Sequence, residues 1–221
     1  MPYDIPSLRL ILEQSANATD AEKMEAYMKG HFKFFGIKAP IRSKIQKAWL
    51  NEQKPNQGDY WQMMSDLWQE EEREFQLVAV DLLKKRSKKA YVQEDWIHLQ
   101  YFIETKSWWD TVDLIASNAV GRYFECFPDM IPAITEQWME SNNMWLQRSC
   151  LIFQLKYKER TDADLLEQFI IRLNPNREFF IQKAIGWSLR QYSKFDSLWV
   201  REIIDKHQIG GLARREASKY I

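Results

Sequence analysis

Glycine, proline, cysteine and histidine are all scarce in this chain of 221 residues, which holds seven glycines, seven prolines, two cysteines and three histidines. So few turn-forming residues predict long elements, which favours helices over a sandwich of short strands. Cys126 and Cys150 lack CxxC spacing, so a reducing cytosol is the simplest setting. The histidines are scattered without a metal-ligand pattern, and we expect no metal.

Long apolar runs are missing as well. No run approaches the roughly 20 residues that a membrane-spanning helix needs, and the N-terminus lacks the order of basic, apolar and small residues that marks a signal peptide. Hydrophobic residues make up 45% of the chain and charged residues 28%. These values exclude a disordered chain and predict a globular protein built as one domain or one repeat array.

Net charge is also absent, because 31 basic residues balance 31 acidic ones. The charges are nevertheless unevenly placed: residues 21–54 carry eight Lys or Arg against three acids, and residues 59–74 carry six acids against one Arg. A neutral chain can therefore have one basic face, as a phosphate-binding surface requires. Charge alone leaves open the alternative that both runs are ordinary solvated helix faces.

Four segments resemble one another and carry apolar residues at helical spacing. Their third residues, 34, 37 and 35 positions apart, are Gln76, Asp110, Gln147 and Gln182. A last partial copy would place Arg214 at the same position. Periods of this length are typical of helix pairs that stack into a curved solenoid. We therefore predict an all-α fold, a curved α-solenoid of helix-pair repeats with a concave face.

Helix starts are predicted where a small polar residue precedes an apolar run. Thr19 in "TDAE" (19–22) and Thr161 in "TDAD" (161–164) have the spacing of capping boxes, as does Ser107 in "SWWD" (107–110). Asn174 is predicted to cap a fourth helix, with Pro175 at its first position.

The helix predicted over residues 179–194 has two different faces. Its core stripe consists of Ile181, Ala184, Ile185, Ser188, Leu189 and Tyr192. Within about 60° of one another on another side lie Lys183, Trp187, Arg190 and Lys194. An aromatic ring among cations is a common nucleic-acid contact. The alternative is that Trp187 packs under lysine stems or against a neighbouring helix.

Cations also recur at the position after the repeat residue, in Arg148, Lys183 and Arg215. They predict a row of positive charge along one face, with ordinary helix surface as the alternative.

The stretch "TKSWWDTVDLI" (105–115) holds two adjacent tryptophans. Trp108 shares a helix face with the apolar residues Val112, Ile115 and Ala119, which predicts a core position. Trp109 and Asp113 form an i,i+4 pair rotated by about 100° from that face. For Trp109 alone, packing at an interface explains the pattern better. Together with Asp113, and with Trp187 two repeats later, it indicates a site.

The longest motifs identify a family. They are "YMKGHFKFFGIKAP" (27–40), "EREFQ" (72–76), "TKSWWDTVD" (105–113), "WLQRSCLIFQLKYK" (145–158) and "EFFIQKAIGWSLRQY" (178–192). In these stretches, which span nearly the whole chain, the sequence resembles the AlkD family of DNA alkylation repair enzymes. The resemblance implies a single HEAT-like repeat domain over residues 1–221, with a concave basic face that binds DNA.

The resemblance also implies a monofunctional DNA glycosylase. Its substrates would be cationic N3- or N7-alkylated purines in duplex DNA, released without base flipping to leave an abasic site. The implied catalytic residues are Asp113, Trp109 and Trp187. Arg148 and Arg190 would hold the DNA backbone, and further candidate DNA contacts are Lys183, Lys194, Tyr27, Lys29 and Arg42.

The resemblance implies no cofactor and no obligate protein partner. We expect a monomer in a bacterial-type cytosol that acts on the nucleoid, with duplex DNA containing alkylated purines as its partner. Two alternatives remain open. One is a non-catalytic HEAT-like protein that binds damaged or branched DNA, and the other is a protein-binding solenoid, whose concave face should carry mixed or acidic charge.

Overall fold

The computed structural model describes residues 3–53 and 60–220. Residue contacts divide the chain into two compact units, residues 1–85 and 86–221. Within the described ranges there are helices and no strands, apart from an isolated bridge between Lys33 and Glu72. The predicted all-α class is therefore confirmed, whereas the single domain and the concave basic face stay predictions. Residues 54–59, which include the last residue of the basic run and the first residue of the acidic run, lie outside the described residues.

The first unit contains α1 (Ile5–Gln14), α2 (Ala18–Tyr27), α3 (Ala39–Glu52), α4 (Tyr60–Gln69) and α5 (Arg73–Lys85). The loop before α3 is fixed by a buried carboxylate, because Glu74 accepts hydrogen bonds from the backbone N–H groups of residues 35, 36 and 37 at 2.9–3.1 Å. Gly36 has a φ of 83°, and a Cβ there would lie 2.1 Å from the carbonyl oxygen of Asn17. Only glycine fits this turn.

The second unit contains α6 (Trp96–Glu104), α7 (Trp109–Leu114), α8 (Gly121–Cys126), α9 (Ile131–Glu140), α10 (Met144–Ile152), α11 (Ala163–Leu173), α12 (Phe179–Tyr192), α13 (Ser197–Lys206) and α14 (Gly211–Ala217). A π-helical segment, Ile115–Val120, joins α7 to α8 without a break. Such wide turns occur mostly inside α-helices and often at functional sites. Among the described residues, none of the helices is both long and apolar enough to cross a bilayer.

The predicted repeat has a physical basis in three glutamines. The Nε2 atoms of Gln76, Gln147 and Gln182 each donate to the carbonyl oxygens eight and six residues earlier, at 2.7–3.3 Å. Those carbonyls lie at the C-terminal ends of α4, α9 and α11, where backbone acceptors lack helical partners. The register is not kept at α14, where Arg214 is exposed and pairs with Asp205 at 3.4 Å.

All four predicted helix caps are wrong. At α7 the N-cap is Trp108, without a side-chain cap hydrogen bond, and Oγ of Ser107 instead donates to the carbonyl oxygen of Ile103 at 2.6 Å. Asn17 caps α2 in place of Thr19, accepting from the N–H of Asp20 at 3.0 Å, and Asp162 caps α11 in place of Thr161. Asn and Asp are stronger caps than Thr, so the neighbouring residue takes the position. The fourth helix begins at Phe179 rather than after Asn174. The Nδ2 of Asn174 instead donates to the carbonyl oxygen of His207 at 3.0 Å.

The predicted core stripe of α12 is confirmed, and the stripe predicted for Trp108, Val112, Ile115 and Ala119 is confirmed except at Trp108, which precedes α7 and is half-buried. In α12 the residues Ile181, Ala184, Ile185, Ser188 and Leu189 are buried, and Tyr192 packs edge-on against Trp199. On the helix that runs from α7 to α8, the buried residues include Val112, Ile115 and Ala119.

Candidate functional site

A cleft of about 350 Å³ opens in the second unit between α7, α10, α12 and α14. Its walls are formed by Trp109, Asp113, Arg148, Phe179, Phe180, Lys183, Trp187, Arg190 and Glu216. The cleft therefore brings together all three residues predicted to be catalytic. It also contains three of the residues predicted to bind DNA, one from α10 and two from α12.

The centre of the cleft is an ion pair between Asp113 and Arg148. Nε of Arg148 donates to Oδ1 of Asp113 at 2.7 Å, and Nη2 donates to Oδ2 at 2.8 Å. Such a bidentate pair fixes the plane of the carboxylate as well as its position. The two side chains are only 15% and 5% exposed. Burial raises the pKa of Asp113 above its ordinary value, whereas the hydrogen bonds from Arg148 oppose that rise.

Arg148 is itself held by an aromatic cluster. Its Nη1 donates to the carbonyl oxygen of Phe180, whose ring packs against Trp145 at 4.9 Å and edge-on against Trp108 at 5.3 Å. Trp108 precedes α7 in extended backbone and is half-buried, so it is not part of the helix face that the sequence predicted. Its contribution to the site is indirect, since it supports the residue that holds Arg148.

Two tryptophans line the cleft with Asp113. Trp109 is the first residue of α7, one helical turn before Asp113, and Trp187 lies in α12 on the face opposite the buried stripe. Both side chains are half-buried. The flank position predicted for the second tryptophan of "SWWD" is thus where the structure places it.

Glu216 is a cleft residue that the sequence did not predict. Its carboxylate accepts from Nζ of Lys183 at 2.9 Å, from Nη1 of Arg190 and from Nζ of Lys219 at 2.9 Å. Lys183 and Lys219 lower the pKa of Glu216 to about 2. The sequence contained one signal that could have identified Glu216. It is an acidic residue that lies between Ala213 and Ala217, both of which are buried, and acids are rare on an apolar helix face.

Gly186 explains how Glu216 reaches the cleft. A Cβ at that position would lie 2.4 Å from Cβ of Glu216 and 2.7 Å from the carbonyl oxygen of Ala213. Glycine therefore permits a close approach of α14 to α12, which places a carboxylate between two cations.

The remaining predicted contacts lie outside this cleft. Lys194 is exposed. Its Nζ lies 5.6 Å from the ring centroid of Tyr220 and donates a hydrogen bond to Oε1 of Gln191 at 2.9 Å. Arg215, the last cation of the predicted row, is also exposed. In the first unit, Tyr27 and the nearly buried Arg42 line another cleft of about 440 Å³. Lys29 follows α2 with a φ of 56° and is exposed.

Metal-ligating side chains do not cluster in the described part of the chain: no three of His, Cys, Asp and Glu lie close enough there to hold an ion.

A family model and a solved structure that match this chain carry the same description. The family model described as "DNA alkylation repair enzyme" matches residues 8–221. A solved structure, "Predicted DNA alkylation repair enzyme from Enterococcus faecalis", is 38% identical, with a TM-score of 0.85 over 93% of this chain and 96% of that one. No curated protein gives a significant match. The matched residues include every side chain that lines the cleft.

Proposed function

This chain belongs to the DNA alkylation repair enzyme family, and we propose that it is a monofunctional DNA glycosylase. Its reaction is hydrolysis of the N-glycosidic bond of cationic N3- or N7-alkylated purines in duplex DNA, which leaves an abasic site. The observation that carries this proposal is the Asp113 carboxylate, fixed by Arg148 in an open cleft that also contains Trp109 and Trp187.

The chemistry requires little acid catalysis. Alkylation at N3 or N7 gives the purine a positive charge, so the base leaves as a neutral molecule with the electron pair of the C1′–N bond. Positive charge then develops on the deoxyribose, as in other oxocarbenium-like reactions. A preorganised carboxylate close to C1′ stabilises that charge and orients the water that attacks it.

The two hydrogen bonds from Arg148 determine which chemical roles suit Asp113. A guanidinium that binds both carboxylate oxygens favours the ionised form. Asp113 is therefore suited to electrostatic stabilisation and to orienting water. Arg148 lines the cleft and remains a candidate phosphate contact, and its two bonds to Asp113 add a positioning role.

The tryptophans supply the complementary surface. The face of an indole ring is negative, so it attracts a cationic nucleotide with about 0.5–2 kcal/mol per contact when water is excluded. These contacts speed the reaction only where they strengthen as charge moves from the base to the sugar. Trp109 and Trp187 are half-buried and line an open cleft, which suits approach to the lesion from the backbone side without base flipping.

Lys183 and Arg190 are the proposed phosphate contacts of the cleft. Both belong to α12, beside Trp187, and both are half-buried. Their bonds to Glu216 hold the two cationic groups in place before DNA arrives. All residues of the proposed site come from one chain and none requires a cofactor, so we propose a monomeric enzyme with duplex DNA as its partner.

The proposal is tested by product analysis. A duplex with a single N7-methylguanine, incubated with the wild-type protein at neutral pH, should release the free base faster than it is lost spontaneously. The strand should keep an alkali-labile abasic site and should not be nicked. The matched control is the same duplex with unmodified guanine, from which no base should be released. A folded protein that binds the methylated duplex without releasing base would instead be a non-catalytic DNA-binding member of the family.

A further inference from the structure

A second polar cleft lies toward the C-terminal end of the continuous helix that carries Asp113, where the segment that follows α10 packs against it. Its volume is about 250 Å³, and its walls include four cations and a single carboxylate. They are Lys88, Arg122, Lys156, Arg160 and Glu125. None of the four cations was predicted from the sequence to contact DNA, and none lines the first cleft.

We propose that this cleft binds a phosphate of the DNA backbone a few nucleotides from the lesion. The inference rests on the proposed glycosylase function and adds a binding site to it. We refer to the cleft below as the distal cleft.

Close packing fixes the walls of the distal cleft. At Gly121, the first residue of α8, a Cβ would lie 2.5 Å from the carbonyl oxygen of Phe153. The hydroxyl of Tyr157 donates to the carbonyl oxygen of Gly121 at 2.6 Å. These contacts hold the start of α8 against residues 153–157. Arg122 and Lys156, each adjacent to one of the contacting residues, are thereby brought to one place.

The π-helical segment orients the cleft toward the side of the helix that carries Asp113. In a regular α-helix the residue five positions after Asp113 would be rotated from it by about 140°. The wider turn of the π-helical segment reduces that offset for Asn118. Oγ of Ser117 donates to the carbonyl oxygen of Asp113 at 2.7 Å, which links the two clefts along one helix.

The cations of the distal cleft are held in place by neighbouring acceptors, among them the carboxylate of Glu125. Glu125 accepts from Lys88 at 2.9 Å and from Arg160 at 2.7 Å. Arg122 donates to the carbonyl oxygen of Arg86 at 2.7 Å, and Lys156 donates to Oδ1 of Asn118. Four positive charges against one negative charge leave the cleft positive, which suits a singly charged phosphodiester.

The spacing between the clefts matches the DNA backbone. Arg122 lies nine residues after Asp113, and Lys156 lies eight after Arg148. The rise is about 1.5 Å per residue in an α-helix and about 2.0 Å in the 3-10 helix Phe153–Lys156, so each separation is roughly 12–14 Å. A DNA strand has one phosphate per 3.4 Å of helix axis, so the distal cleft reaches a phosphate within about four nucleotides of the lesion.

The first test measures how salt weakens DNA binding. The variant Lys88→Gln with Lys156→Gln changes two exposed residues of the distal cleft. Its affinity for a duplex with a central tetrahydrofuran abasic-site analogue is followed by fluorescence anisotropy over a range of KCl concentrations. The slope of log K against log[KCl] should become shallower than that of the wild type by about 0.9 for each phosphate that the variant no longer neutralises.

The matched control removes the same charge elsewhere in the unit. Arg172 and Lys206 are surface cations of α11 and α13 that pair with Glu136 and Glu167, outside both clefts. The variant Arg172→Gln with Lys206→Gln should keep the wild-type slope. Base release at saturating protein should be unchanged in this control variant, because neither of its residues lines a cleft that is proposed to contact DNA.

The second test locates the phosphate. Two duplexes are prepared in which about three base pairs remain on one side or the other of the analogue, fewer than the reach of the distal cleft. Wild-type affinity should fall on shortening one of the two sides, and the Lys88→Gln, Lys156→Gln variant should be insensitive to that shortening.

Three outcomes would overturn the inference. A variant that keeps both the wild-type slope and the sensitivity to shortening shows that the distal cleft does not touch DNA. Weaker binding of inorganic phosphate by the variant, with DNA binding intact, shows a site for small anions only. If the wild type itself shows no salt-dependent DNA binding, the proposed function fails together with the inference.

Discussion

Each unit of this protein contains a buried arginine paired with an aspartate, and the two pairs differ in geometry. In the first unit, Nη2 of Arg42 makes one contact with Asp81 at 3.3 Å, and Asp81 is shared with Lys84 at 2.9 Å. In the second, Arg148 makes two contacts with Asp113, at 2.7 and 2.8 Å. The arginines are 9% and 4% exposed.

The neighbours of the two pairs differ as well. The cleft beside Arg42 has mainly apolar walls, with Met24, Met28 and Phe34 among them. The cleft beside Arg148 combines two tryptophans with two further cations. An arginine–aspartate pair is therefore not by itself a sign of catalysis. What distinguishes the second pair is a carboxylate fixed in both position and plane, beside surfaces that attract a cationic nucleotide.

The largest effect is expected when Arg148 is replaced, which breaks its ion pair with Asp113. Arg148→Met removes both hydrogen bonds to Asp113 and leaves a buried carboxylate without them, so release of N7-methylguanine should fall more than tenfold. That factor corresponds to about 1.4 kcal/mol of activation free energy. The pKa of Asp113 should rise further, so the loss should shrink as the assay pH is raised.

Two variants control for a purely structural effect. Removing one partner of a buried ion pair costs about 3–5 kcal/mol of stability. Arg148→Lys, which keeps the positive charge but loses the planar guanidinium that makes two hydrogen bonds, is therefore measured together with Arg148→Met. Arg42→Met is the equivalent change in the first unit and should leave the pH dependence of release unchanged. If both arginine-to-methionine variants shift the pH profile equally, the two pairs are not functionally different.

A smaller effect is expected from the tryptophan wall. Trp187→Ala should lower kcat/KM for N7-methylguanine by roughly 2- to 30-fold, the range that corresponds to about 0.5–2 kcal/mol for one cation–π contact. Trp187→Phe should retain part of the activity because a phenyl face is also negative. Equal losses in the two variants would show that shape, and not the charge of the ring face, is what matters.

The pH dependence of the wild type gives a further distinction. Because burial raises the pKa of Asp113, base release corrected for the spontaneous rate should fall on acidification at a pH above the ordinary value of 3.8. Between the ordinary and the raised pKa the native state binds more protons than the unfolded state, so ionisation of Asp113 lowers stability as pH rises through that window. An acid limb that persists in Asp113→Asn would assign it to another group.

The smallest effect concerns Glu216. Its pKa is lowered from 4.5 to about 2 by Lys183 and Lys219, so its contribution to stability is present above about pH 4.5 and is lost as pH falls toward 2. Glu216→Gln should lower the free energy of unfolding at pH 7 by about 1–2 kcal/mol. Thermal melts of variant and wild type should converge near pH 2, and a difference that persists there would exclude this electrostatic origin.

Much of the site could be predicted from helical spacing. Trp109 and Asp113 are one turn apart on a single helix, and Trp187 and Arg190 lie on a different side of α12 from its continuous apolar stripe. Helical periodicity alone therefore predicted which side of the helix each of them occupies. The glutamine repeat was also visible, because each glutamine meets the same need at the end of the preceding helix.

The rest depends on contacts between distant segments. Arg148 lies 35 residues from Asp113, and their bidentate pairing follows from the packing of α10 against α7. Glu216 enters the cleft only because Gly186 lets α14 approach closely. The π-helical segment was not predicted from the sequence. At α2 and α11 a nearby polar residue takes the predicted cap position, whereas α7 begins after Trp108 and α12 begins at Phe179, away from the predicted starts.

The most direct test compares the two aspartates under single-turnover conditions. Asp113→Asn and Asp81→Asn each remove one negative charge from an arginine pair, and each is assayed for N7-methylguanine release beside the wild type, with duplex binding measured in parallel. We expect a loss of at least tenfold in Asp113→Asn, with binding retained, and most of the wild-type rate in Asp81→Asn. A near-wild-type rate in Asp113→Asn would contradict the assignment of this carboxylate to the chemical step.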